Sequence, residues 1–157
     1  MTSKNYLLKY AINYLSKYDS SKKNLERILK SKIQRITKDK HERFKLYSEI
    51  KAVFIDLENN NFINDENFTQ NKIELLISQN KSKNYIKNYL TLKGIEKNII
   101  AEKFERYEDL NLDWEKKSAY NFAKKKQLLN SDIDMQKKLG KMARAGFPYD
   151  LCKEILK

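Results

Sequence analysis

Two stretches far apart in the chain, YLTLKGIEKNII at residues 89–100 and KMARAGFPYDLCKEIL at residues 141–156, carry one pattern. Each has an apolar residue, a glycine four positions on, a large apolar residue directly after it, and an apolar pair beyond three mostly polar residues. These are Leu90, Gly94, Ile95 and Ile99-Ile100 in the first, and Met142, Gly146, Phe147 and Leu151-Cys152 in the second. The chain holds only three glycines, so two of them in the same slot demand a reason. A residue ending a helix at positive φ drives its Cβ toward the following carbonyl, a cost that glycine escapes. The apolar residue after it is the partner that folds back in a Schellman-type cap. Gly94-Ile95 and Gly146-Phe147 are therefore predicted to be equivalent helix ends, each leading sharply into another helix.

The rest of the chain reads at the same period. Three glycines and one proline leave little for hairpin turns or phosphate-cradling loops, and apolar residues recur at three and four rather than alternating. A first helix spans about 4–18, with Leu7, Tyr10, Ala11, Tyr14, Leu15 and Tyr18 on one face. Asp19, Ser20 and Ser21 offer N-caps for a second with Leu25, Ile28 and Leu29 inward. A basic connector, KSKIQRITKDK, leads to the longest helix, about 40–60, which spans roughly 30 Å and buries Phe44, Tyr47, Ile50, Val53, Phe54 and Leu57. ENNNFIND closes this unit, its asparagines tolerating a left-handed turn and Asp65 capping the next helix. A second trio covers about 65–79 (Phe68, Leu75, Leu76), 83–93 (Tyr85, Ile86, Tyr89, Leu90) and 96–107 (Ile99, Ile100, Phe104, Tyr107). A third has Trp114, Ala119, Phe122 and Ala123, then Met135, Leu139, Met142 and Ala143, then Leu151, Cys152, Ile155 and Leu156, with Pro148 in the first turn of the last helix.

The expected fold is all-α: three tandem three-helix repeats at residues 1–62, 63–110 and 111–157, stacked into an elongated, curved array because each unit buries too little alone. The first repeat diverges most, with Ile33 where the glycine would align.

Charge points to the partner. There are 33 Lys and Arg against 21 Asp and Glu, a formal charge of +12 and a pI near 9.6, which favours an anionic ligand such as nucleic acid. Lys22, Lys23, Arg27 and Lys30 recur along the second helix, and Lys32, Arg35, Lys38 and Lys40 extend the run. Lys124, Lys125 and Lys126, followed by Lys137, Lys138, Lys141 and Arg144, form a second concentration. No base-reading helix accompanies them, so contact runs through phosphates, led by shape and charge. Tyr10, Tyr14, Tyr47 and Tyr89 lie on apolar faces and read as core.

Catalysis finds no constellation. His41 is the sole histidine, in the polar KDKHER, and Cys152 lies on an inward face as a small apolar residue. Asp113, Asp132 and Asp134 fit neither a calcium loop nor a zinc spacing and read as helix-start caps and dipole partners. No metal, cofactor or enzymatic activity is expected. One cysteine forms no internal disulfide and no 18-residue apolar run exists, so a reduced, soluble, cytoplasmic protein is expected, and it is expected to be a monomer.

With these turns in place, the sequence resembles the RecX family of bacterial regulators of the RecA recombinase. Arg144, Gly146, Phe147, Pro148, Tyr149 and Asp150 look like the family's closing segment. Ile86, Leu90, Lys93, Gly94 and Ile95 match its middle segment, and Asp65 and Phe68 keep its repeat boundary with Asn64 in place of one acid. Ala11, Tyr14, Leu15 and Ser20 or Ser21 approximate its start. Departures gather in the first unit, where Asn24 takes a glutamate's place and Lys32-Ile33 that of Lys-Gly. The resemblance implies a non-enzymatic protein of three three-helix repeats that lies in the groove of the RecA–single-stranded DNA filament, lowers its ATP hydrolysis and strand exchange in recombination, repair and the SOS response, and touches single- and double-stranded DNA through phosphates. A different class, an autonomous sequence-nonspecific DNA-binding module, is the alternative that charge alone allows.

Overall fold

The computed structural model describes residues 2–157. Among them are nine α-helices: α1 Ser3–Lys17, α2 Lys22–Ile36, α3 Lys40–Asn59, α4 Asp65–Ser78, α5 Lys83–Leu92, α6 Lys97–Leu110, α7 Trp114–Lys125, α8 Met135–Arg144 and α9 Tyr149–Leu156. No described residue lies in a strand, and no described helix is long and apolar enough to cross a membrane. The all-α expectation holds, and the helix bounds fall close to those predicted.

The chain divides into two compact units, the first running to Phe68 and including Lys93–Ile95, the second holding Thr69–Leu92 and Glu96–Lys157. In the first, α1 and α2 both pack on α3, and Leu7, Ala11, Leu25, Leu29, Ile33, Val53 and Leu57 are wholly buried. Each of its helices starts on a side-chain cap. Thr2, Ser21 and Asp39 accept from the backbone N–H of Asn5, Asn24 and Glu42, each cap contributing about 1 kcal/mol. The basic connector expected after Lys30 is instead helical: α2 runs to Ile36 and only residues 37–39 link it to α3. Ile33, expected in the place of a turn glycine, holds that last stretch in the core. Arg43 then closes the α2 carboxyl end, its Nε donating to the Thr37 carbonyl at 2.7 Å and its Nη2 to that of Gln34 at 3.1 Å.

In the second unit, α7, α8 and α9 enclose Ala119, Ala123, Leu128, Met142, Phe147, Cys152 and Leu156. Trp114 stacks on Phe104 with ring centroids 6.0 Å apart and meets Tyr107 edge-on. Phe122 tilts against Phe147 at 5.5 Å.

Some apolar positions face elsewhere than their spacing suggested. Phe44 is 77% exposed, and Leu75, Tyr85, Met135 and Tyr18 are exposed as well. In α8 the inward face passes through Lys138 and Met142, four apart, with Leu139 half-buried against the same core, while Met135 lies outside it. Asp65 does not cap α4. Asn64 does, accepting from Asn67 N–H at 3.1 Å, which releases Asp65 for another task. Asp113 and Asp134 precede α7 and α8 without a side-chain cap bond, Asp113 in a left-handed conformation, and Asp132 lies outside any helix. Pro148 occupies the N-cap of α9, one residue before the helix begins.

Candidate nucleic-acid and partner interface

The two glycine turns prove to be more than helix ends. Gly146 has φ +95° and Gly94 φ +79°. At Gly146 the full Schellman pair forms: Gly146 N–H donates to the Ala143 carbonyl and Phe147 N–H to that of Met142. Yet Asn61, Asn80 and Gln127 adopt positive φ at helix ends with the same bond pair and with side chains attached. Positive φ alone therefore does not demand glycine in this chain. What does is crowding. A Cβ on Gly94 would stand 2.4 Å from the Lys23 Cβ, and one on Gly146 would stand 2.4 Å from the Ser82 Oγ.

Both crowding residues belong to helix starts, and the surroundings of those starts recur residue by residue. In the first unit, Ser21 caps α2 and its hydroxyl donates to the Lys93 carbonyl at 2.5 Å. The Lys22 N–H donates to the Asp65 carboxylate at 2.8 Å. The Lys22 ammonium pairs with Glu58 at 2.7 Å and lies over the Phe54 ring, 6.0 Å from its centre. In the second unit, Ser82 caps α5 and donates to the Ala145 carbonyl at 2.7 Å. The Lys83 N–H donates to the Glu115 carboxylate at 2.8 Å. The Lys83 ammonium pairs with Glu108 and lies over the Phe104 ring at 5.3 Å. Each arrangement gives a helix's positive end a carboxylate and occupies a carbonyl at the glycine turn. Ser21 and Ser82 are both fully buried, so an unmade bond there would be costly. Sequence reasoning found the turns but missed the sockets that receive them. The signal was present: Ser-Lys followed by apolar residues at Leu25 and Leu29 recurs at Ser82-Lys83 with Ile86 and Leu90.

This geometry sorts the basic residues. Lys22, counted among the phosphate contacts, is committed to Glu58 and Phe54. Lys30 pairs with Glu26 one turn back at 3.1 Å, Arg27 reaches Asn24, and the Lys23 stem lies against Gly94. Lys32 covers the Tyr10 ring at 5.0 Å. Arg35 is exposed in the last turn of α2. The second cluster differs. Lys124, Lys125 and Lys126 at the end of α7, and Lys137, Lys141 and Arg144 along α8, are exposed, and none of them forms an ion pair among the described residues. Lys137, Lys141 and Arg144 stand at intervals of four and three, so they share one face of α8. Lys138 does not join that row. It is only 8% exposed, because it sits four residues before Met142 on the buried face.

Elsewhere the surface offers little chemistry. No group of three or more His, Cys, Asp or Glu among the described residues is placed to hold a metal ion. Burial pushes the Cys152 thiol above its ordinary pKa, the opposite of what activates a nucleophile. Tyr107 is likewise raised, first by burial and then by the Glu74 carboxylate.

No family model matches the chain. The regulatory protein RecX of Myxococcus xanthus (strain DK1622) is 28% identical over 163 residues, which cover 98% of this chain and 86% of that protein. The crystal structure of RecX from Lactobacillus salivarius superposes with a TM-score of 0.72 at 22% identity, over 98% of this chain and 94% of that one. A second crystal structure, of a regulatory protein RecX, gives a TM-score of 0.70 at 15% identity, over 98% of this chain and 71% of that one. The class is thus an all-α protein with the fold of those two crystal structures. Sequence carries it further: the RecX resemblance is borne out by the similarity of nearly the whole chain to a regulatory protein RecX.

Proposed function

We propose that this protein is a non-enzymatic modulator of a RecA-type recombinase, and that it acts as a restraint: it lies in the groove of the RecA–single-stranded DNA filament and limits ATP hydrolysis and strand exchange. It works in the cytoplasm as a monomer. Its helices form three tandem repeats, a reading supported by the recurrence of the Ser21–Lys22 surroundings at Ser82–Lys83. The similarity to a regulatory protein RecX over nearly the whole chain carries the proposal.

The unpaired row of α7 and α8 is the part of the surface we assign to DNA phosphates. Lys124, Lys125, Lys126, Lys137, Lys141 and Arg144 have no internal counter-charge to lose, so a phosphate gains their full attraction, whereas Lys22 and Lys30 would first have to leave a carboxylate. Recombinase ATPase on single-stranded DNA, measured with added protein at moderate salt, tests the proposal. Falling turnover supports it, and unchanged turnover at micromolar protein refutes it. Reversing Lys137, Lys141 and Arg144 to Glu should weaken DNA binding across all sequences and lower the salt slope by about 0.7 per contact on a single strand. The same basic row also favours an autonomous DNA-binding module. That reading gains if naked DNA is bound tightly while the recombinase is unaffected.

A further inference from the structure

One stretch of this basic chain reverses its charge. From Glu105 to Glu115 there are five acidic residues and one arginine, in a sequence where Lys and Arg outnumber Asp and Glu by 33 to 21. The fold carries that reversal into a groove of about 550 Å³ in the second unit, formed where α6 ends and where α7 and α9 begin. Five carboxylates line it, those of Glu108, Asp113, Glu115, Asp150 and Glu154, against the two ammonium groups of Lys83 and Lys116. Both lysines are already committed, Lys83 to Glu108 and Lys116 to Glu154, and Glu115 accepts the Lys83 N–H at the start of α5. Asp113 and Asp150 form no ion pair and no side-chain hydrogen bond among the described residues. Asp113 acts on Lys116 only behind Glu154, and it precedes α7 without capping it. The lining therefore stays negative after its internal pairs are counted. It also has an uncovered apolar side: Leu112 lines the groove at 78% exposure, together with Pro148 and Leu151, and Leu110 stands two residues away at 86%.

Surplus carboxylates beside an uncovered leucine select the occupant. A DNA phosphate would be repelled. A metal ion is not served, since no group of three or more His, Cys, Asp or Glu among the described residues is placed to hold one. A neutral apolar segment would cover Leu112 but strip water from carboxylates that it leaves unpaired. Lysine and arginine answer both demands, with an apolar stem below a cationic head. We infer that the groove between α6, α7 and α9 receives a lysine- or arginine-bearing segment of a protein partner, an apolar side chain of the segment covering Leu112 and its cationic groups meeting Asp113 and Asp150. The groove uses no residue of the α7–α8 row, so phosphates and a cationic segment are taken by separate surfaces.

The full chain is titrated into a rhodamine-labelled short peptide carrying arginines around a single leucine, and anisotropy is read. One control peptide has glutamate for every arginine, and another has glycine for the leucine. The arginine peptide binds and the glutamate peptide does not, although the protein as a whole is cationic and its net charge favours the second. Asp113→Asn and Asp150→Asn together weaken binding roughly tenfold, the loss expected for two exposed ion pairs. Leu112→Ala, or glycine for leucine in the peptide, weakens it about fivefold. Asparagine tolerates the left-handed backbone at Asp113 and Leu112 is largely exposed, so the variants keep wild-type circular dichroism and melting. Glu66→Gln, which removes an exposed carboxylate of α4 outside the groove, leaves binding unchanged. Equal binding of the arginine and glutamate peptides, no loss in the double asparagine variant, or the same loss in Glu66→Gln overturns the inference. Undiminished binding of the glycine peptide does so too, because the groove would then hold any polycation. Sedimentation covers the remaining occupant: self-association that the double asparagine variant abolishes would make a second copy of the chain the ligand and overturn the partner assigned. The recombinase assay is separate, since unchanged ATPase with intact peptide binding removes the regulator reading and leaves the groove, and falling ATPase without peptide binding does the reverse.

Discussion

Replacing Gly146 by alanine perturbs one atom position, and the structure shows which atoms a methyl would meet there. A methyl costs about 1 kcal/mol from its positive φ alone. It would also lie 2.4 Å from the Ser82 Oγ, while its next neighbours, the Asn84 Cβ and Tyr85 N, are at an acceptable 3.4 Å. The hydroxyl can rotate away, but it then gives up two bonds: the cap to Tyr85 N–H at 3.1 Å and the bond to the Ala145 carbonyl. Each is worth about 1 kcal/mol, so Gly146→Ala should destabilise by about 3 kcal/mol, a fall in melting temperature of roughly 6–12 °C for a chain of this length. Ser82→Ala alone, losing only the two bonds, should cost about 2 kcal/mol. In the double variant the obstacle is already gone, so the total should stay near 3 kcal/mol rather than the additive 5, a coupling of about 2 kcal/mol. Urea unfolding followed by far-ultraviolet circular dichroism measures all three. Strict additivity would show that the hydroxyl is not what excludes a side chain at Gly146.

Gly94→Ala should behave differently, because its obstacles are the Lys23 Cβ at 2.4 Å and Cγ at 2.5 Å: Lys23→Ala removes only the second and gives partial relief, Lys23→Gly removes both, and equal rescue by the two would refute the assignment. Cys152 is buried, with its thiol donating to the Phe147 carbonyl at 3.6 Å and its pKa raised by burial. It should therefore resist disulfide reagents in native buffer and react in step with unfolding as urea is added; immediate labelling of folded protein would contradict this. The Glu154 carboxyl is held below its usual pKa by its hydrogen bond and charge pairing with Lys116. The stability it lends is present above the unfolded carboxyl's pKa and disappears as pH falls through the lowered folded value. The melting difference between wild type and Glu154→Gln should accordingly be seen near neutrality and vanish in strong acid, and a difference that grew in acid would reverse the sign of the argument. Lys116 is raised by the same partner, so the pair also fades as pH climbs past the folded lysine's range.

Most of the helical frame was legible because its signals are local. Apolar spacing placed α1 through α9, and Ser21 announced the start of α2. The failures were those of long-range packing. Nothing within a helix's own sequence tells that the lysine at 138 faces inward while Met135 looks out, since that depends on how α8 is rotated against α7 and α9. The stretch after Lys30 looked like a connector because its charges were counted before Ile33, which anchors it as helix. Phe44 was assigned to the core by periodicity, whereas it continues the apolar spacing of α3 beyond the point where the core ends. In the interface, both basic clusters were visible, but their difference was not: Glu58, which neutralises Lys22, lies 36 residues away, and only the fold brings the two together.

The sockets at Ser21 and Ser82 also bear on how the chain finds its native state. Each presents a buried hydroxyl, a helix-start N–H and a lysine arm, and each receives a carbonyl at a glycine bend plus one carboxylate. Two locks that take such similar keys invite exchange, with the bend at Gly146 entering the lock at Ser21, or the bend of one molecule entering the lock of another. Only small features tell them apart, Asp65 against Glu115 and Lys23 against Asn84, so mispaired and intertwined forms are the expected kinetic traps when concentrated, unfolded protein is returned to native buffer.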